Sequence, residues 1–165
     1  MRTTGLRRFL VGTGLVACTS GLLPAVTAEA AVVTAHITGV VKLRVTDHEN
    51  FIADKVCHAT ETVDFFWSSN DGTKKRSAVA YCGGEVRVEV DHFYTVNSSG
   101  TVNVHAFGRL YEGGSHDTTD LDGKDERKFS VPKGPGVDVS FLALHNSDEG
   151  GDSSFVDFVL ERDVV

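Results

Sequence analysis

The stretch 33-VTAHITGVVKLRVT-46 alternates: Val33, Ala35, Ile37, Val41, Leu43 and Val45 are apolar, while Thr34, His36, Thr38, Lys42, Arg44 and Thr46 are polar. Successive side chains of a strand point to opposite faces, so this pattern predicts a strand with one dry face and one wet face. Gly39 interrupts the pattern and marks a bulge or a turn into a second strand. The same period returns in Val86, Val88 and Val90, and in Val102, Val104, Ala106 and Leu110. Further strands are expected over 60–67, 77–82, 127–131, 136–145 and 155–162, about eight in all.

Turn signals separate them: Asn70-Asp71-Gly72, Gly83-Gly84, Asn97 to Gly100, Pro132 to Gly136, and Asp148 to Ser154. Only 48-HENFIADKVCHA-59 hints at a helical turn. Short strands at regular spacing without intervening helices imply an all-β fold, an antiparallel two-sheet sandwich of jelly-roll or immunoglobulin-like arrangement. The strand over 155–162 nearly closes the chain and is expected to be tied into a sheet.

The first thirty residues read as an export signal. Arg2, Arg7 and Arg8 form a basic start, residues 9–26 are apolar or small, and Ala28-Glu29-Ala30 offers a cleavage site after Ala30. The remaining 31–165 is expected to form one domain. Leu15-Val16-Ala17-Cys18 resembles a bacterial lipobox, which gives a lipoprotein anchored through Cys18 as the alternative route to the outside.

Removing residues 1–30 takes three arginines and one glutamate, so the formal charge goes from −7 to −9. Phosphate backbones and anionic headgroups repel such a surface, which argues against nucleic acid and, unless Cys18 is lipidated, against a membrane. Cys57 and Cys82 are the cysteines left, and an oxidising exterior pairs them.

The chain concentrates acid in 115-SHDTTDLDGKDERKF-129, between strand-like segments ending near Tyr111 and resuming near Lys128. Long loops in compact domains usually carry a function. Hard dications take oxygen ligands from carboxylates and carbonyls on tightly turning backbone. Asp117, Asp120, Asp122, Asp125 and Glu126 are therefore expected to bind calcium, with Asp148 and Asp152 of a second acidic loop contributing. Asp47 and Glu49 lie in a third acidic loop. An EF-hand is excluded, since Thr118 and Phe129 would occupy the first and last ligand positions.

The seven histidines show no zinc spacing. Parity puts His36 and His105 on wet faces and His92 and His145 on drier ones. Phe65, Phe66 and Trp67 run consecutively before a turn, so they point to both faces, with Phe93, Phe107 and Tyr111 outward. Trp67 and Tyr111 are the candidate rings for stacking a ligand. No Gly-x-Ser-x-Gly elbow is present.

These features imply a secreted calcium-binding, non-catalytic binding or structural module with an extracellular carbohydrate or protein as partner. The alternatives are a protease inhibitor or toxin-like effector, and a hydrolase using a carboxylate pair such as Asp120 and Asp148.

Overall fold

A computed structural model describes residues 31–49, 53–131, 133–146 and 151–165. The expected export signal with Cys18 and Ala30, and the candidate ligand Asp148, lie outside the described residues. Eight strands follow in order: β1 (Thr34–Asp47), β2 (Lys55–Ser68), β3 (Thr73–Cys82), β4 (Val86–Val96), β5 (Val102–Tyr111), β6 (Leu121–Val131), β7 (Gly134–His145) and β8 (Ser153–Val164). One sheet, here sheet A, has the order β2-β1-β8-β7, and sheet B has β3-β4-β5-β6. Every pairing between these strands is antiparallel.

This is the expected two-sheet sandwich, with a simpler connectivity than the jelly-roll or immunoglobulin-like versions. Both of those need Greek-key crossings. Here neighbours in a sheet are neighbours in sequence, except β1 and β8, which bring the two ends of an up-and-down meander together. β8 thus lies between β1 and β7, tied in as expected.

A meander sends alternate connections to opposite ends. The loops β1–β2, β3–β4, β5–β6 and β7–β8 share one pole, and β2–β3, β4–β5 and β6–β7 share the other. Of the helical turn expected over 48–59, residues 50–52 lie outside the described residues and 55–59 are strand, since β2 starts at Lys55.

The dry faces meet between the sheets. Ile37, Val41, Leu43 and Val45 of β1 are buried with Val88 and Val90 of β4, Val104 and Leu110 of β5, and Val156, Phe158 and Leu160 of β8. Gly39 marks neither a bulge nor a turn, because β1 runs unbroken in register with β2 and β8. Its φ is +142°, and a Cβ there would sit 2.1 Å from the Val159 carbonyl oxygen, so only glycine lets β1 pass β8 at this point.

The two open seams of the sandwich are closed by different chemistry. On one side the disulfide Cys57–Cys82 links β2 of sheet A to β3 of sheet B, with Cα atoms 5.5 Å apart. On the other, β6 lies against β7: a Cβ on Gly123 would be 2.5 Å from the His145 carbonyl oxygen. Asp125 Oδ2 accepts the Ala143 backbone N–H at 3.0 Å across this seam, and Arg162 Nε donates to the Val131 carbonyl at 2.9 Å. An edge strand's unpaired N–H needs an acceptor, and here a side chain supplies it.

One polar chain crosses the core. His92 is fully buried; its Nδ1 meets Tyr94 Oη at 2.8 Å and its Nε2 meets Glu61 Oε2 at 2.7 Å. Arg76 Nε pairs with Glu61 Oε1 at 2.9 Å and so closes the chain toward solvent. Burial depresses the His92 pKa against the pull of Glu61, and burial raises that of Tyr94. His92 is on the dry face as expected. His145 is not: it points outward and is exposed.

Candidate functional site

Topology delivers the acid-bearing loops to one pole, but among the described residues it does not gather the expected ligands around one point. Asp117 and Asp120 are exposed on the loop 112–120. That loop is held on the outside of sheet B by Arg87, whose guanidinium donates to the carbonyls of His116 and Thr118. Thr118 Oγ1 donates to the Glu112 carbonyl and accepts the Asp120 N–H, which ties the loop to itself.

Asp122, Asp125 and Glu126 are not in a loop, because β6 begins at Leu121. Four residues of strand span about 13 Å, so Asp122 and Glu126 are too far apart to share an ion. Asp125 has the opposite parity and closes the β6–β7 seam. Among the described residues, no group of three or more His, Cys, Asp or Glu side chains is placed to hold a metal ion.

What the pole does contain is a polar cap on the core. Asp47 of β1, Glu112 after β5, Asn146 after β7 and Asp152 before β8 each continue the inward-facing parity of their strand by one step. Asp47 and Asp152 are buried, each with 5 % of its surface exposed. Asp152 Oδ1 accepts the His48 N–H at 2.6 Å, Asn146 Nδ2 donates to Glu112 Oε2, and Asp122 Oδ2 accepts the Glu112 N–H at 2.9 Å. Burial, with Asp152 beside it, pushes the Glu112 carboxyl up to about 7, and burial followed by Asp152 raises that of Asp47. Glu112 was missed in the sequence, although its place two residues beyond buried Leu110 is the available signal.

The aromatic expectations divide. Of the three consecutive rings, Phe66 points out, 58 % exposed and stacked on His36 at 4.2 Å. Trp67 packs partly against the core with Lys74 Nζ 4.9 Å from its ring, and its Nε1 donates to the Gly72 carbonyl. Tyr111 points out, but Arg87 covers it at 4.5 Å. Both candidate stacking rings are thus occupied by cations of the chain itself.

No protein-family model matches this sequence, and no curated protein matches it as a relative. The site has to be read from its own chemistry.

The outer face of sheet B holds the more open arrangement. Cross-strand register places Thr73, Thr95, Asn103 and Ser130 side by side across all four strands, and Lys75, Phe93, His105 and Lys128 in the adjacent row. All of these but Lys75 line a shallow depression of about 520 Å³, together with Val104 and Phe129, and no Asp or Glu is among the described residues that line it. Ser130 Oγ donates to Asn103 Oδ1 at 2.8 Å, which fixes the amide so that its NH₂ is left for another partner. Phe93 meets the edge of Phe107 with ring centroids 5.9 Å apart.

Beyond this depression the face is laced with ion pairs. Asp91 accepts from Ser77 Oγ at 2.6 Å and Arg109 Nη2 at 2.7 Å, and pairs with Lys75 Nζ at 3.0 Å. Burial acts to raise this carboxyl, but the bonds from Ser77, Arg109 and Lys75 prevail and bring it down to about 2. A depressed carboxyl stabilises the fold above its unfolded pKa near 3.9 and loses that contribution as pH falls through the folded value. Asp91→Asn is therefore expected to cost about 1–2 kcal/mol at neutral pH, with the difference from wild type shrinking as pH approaches about 2. Urea melts across that range check it; a gap independent of pH would contradict the assignment.

Proposed function

We propose that the chain is exported and acts as a non-catalytic binding module that presents the outer face of sheet B to an extracellular ligand. The observation that carries this reading is the carboxylate-free depression, in which side chains from four strands are brought into register on a rigid sheet. A few converging polar groups beside an aromatic ring are what recognition sites present. The face is open, and the carboxylates around it are tied into ion pairs, an arrangement suited to holding a ligand rather than turning it over. Export is supported by the basic-then-apolar start of the sequence and by the disulfide.

The test is adsorption to insoluble extracellular polymers, both polysaccharide and protein. Phe93→Ala and Asn103→Ala are expected to abolish adsorption. Phe141→Ser, at a residue 54 % exposed on the other sheet, is expected to leave it unchanged. Adsorption lost only in the Phe141 variant would overturn the reading.

Calcium at the acidic pole is a second reading. It is favoured by the delivery of four acid-bearing loops to one pole and by the raised Glu112 carboxyl, which burial and the neighbouring Asp152 push up and which a bound cation would relieve. Calcium at about one hundred times its Kd would add about 2.7 kcal/mol. A melting temperature several degrees higher in millimolar calcium than in chelator is the expected result, and coincident melts would remove calcium from the account.

A further inference from the structure

We propose that the ligand of the sheet B depression is a neutral carbohydrate chain lying across the strands; this rests on the binding-face reading above and specifies its ligand class. A sugar presents two kinds of surface, hydroxyl groups that both donate and accept, and flat patches of C–H bonds. The row Thr73, Thr95, Asn103 and Ser130 matches the first, because hydroxyl and amide side chains also do both. Phe93, lining the same depression, matches the second.

Strands lie about 4.8 Å apart, so the row offers a hydrogen-bonding group at each step along about 14 Å. A linear oligomer, rather than a single sugar, fills that length. Charge decides between neutral and acidic glycans. The imidazole of His105 and the ammonium of Lys128 both contact Glu126, at 2.6 Å and 3.3 Å, so the cationic side of the depression is already neutralised by the chain.

Other polymers fit less well. A nucleic acid meets a protein of net charge −7. An extended peptide that adds to a sheet needs an open strand edge, whereas this site is the face of a sheet, with its backbone groups already paired. A lipid needs a continuous apolar surface, and here Phe93 is bordered by hydroxyls, an amide, an imidazole and an ammonium.

Titration calorimetry with cellohexaose, chitohexaose, xylohexaose and mannohexaose, their shorter homologues, and an oligogalacturonate as the acidic arm tests the proposal. At least one neutral series is expected to bind, with affinity rising with chain length until the four-strand row is filled. Phe93→Ala is expected to weaken that binding by about tenfold or more. Asn103→Ala, at an exposed position that leaves packing intact, is expected to weaken it without moving the melting temperature. Binding of the oligogalacturonate alone, or of none of these sugars, overturns the neutral-carbohydrate assignment. If the same variants still abolish adsorption to a protein or an acidic glycan, the binding face survives that result; if they alter no adsorption at all, the face falls with it.

Discussion

Replacing Cys57 and Cys82 together by alanine is expected to destabilise the domain by about 3.5 kcal/mol, from the chain-entropy cost of a loop of this size. The sequence separation is 25 residues, and the bond is the covalent link at the β2–β3 seam. Sheet A and sheet B meet there through two edge strands whose outward positions are largely exposed. Losing the link therefore frees both edges in the unfolded chain and removes a staple from the folded one. For a domain of this size the shift in melting temperature should be on the order of 10 °C or more. Thermal melts with and without reductant, compared with the double variant, measure it. A variant that melts within a degree or two of wild type would show that the seam is held by packing alone.

His92→Ala is expected to cost about 3–5 kcal/mol. The imidazole is the middle of a chain that spans the sandwich from Tyr94 to Glu61. Removing it opens a cavity beside Phe158, whose ring lies 5.7 Å away, and strands the Tyr94 hydroxyl in the core. It also leaves Glu61 with only Arg76, on the rim, to compensate a carboxylate that is 15 % exposed. Tyr94→Phe, which removes one hydroxyl and little volume, should cost only about 1–2 kcal/mol. Chemical denaturation of the two variants separates these sizes. Equal losses would mean that the polar chain adds nothing beyond packing.

The parts of the fold that were legible in the sequence are those where one face of a strand is dry. β1, β4 and β5 alternate cleanly because each lies inside its sheet, with one side on the core and the other in water. In β6 the sequence shows a strand only over 127–131, for the opposite reason. It is an edge strand, and residues 121–128 are exposed or half-buried throughout, so its period of two vanishes. Its acids looked like ligands for a cation, whereas Asp125 accepts the backbone N–H of a neighbouring strand and Glu126 pairs with His105. β2 is legible only from residue 60, because the inward positions of its first half, Cys57, Ala59 and Glu61, are only half-buried and include an acid.

Connectivity was not legible at all, since alternation shows that strands exist without saying which ones pair. The same limit hid the candidate site. Thr73, Thr95, Asn103 and Ser130 are scattered over 58 positions of sequence, and only cross-strand register makes them a row. Glu112 and Asp152, forty residues apart, were hidden in the same way until the β5 and β8 ends met at one pole.

Nitrogen-15 HSQC titration with soluble fragments of the polymer that adsorbs the domain tests the binding face most directly. Amide shifts centred on Phe93, Thr95, Asn103, His105 and Ser130, with sheet A unmoved, are the predicted result. Shifts centred instead on the loop 112–120 and on Asp152, or on Phe141 and Phe155 of sheet A, would contradict it.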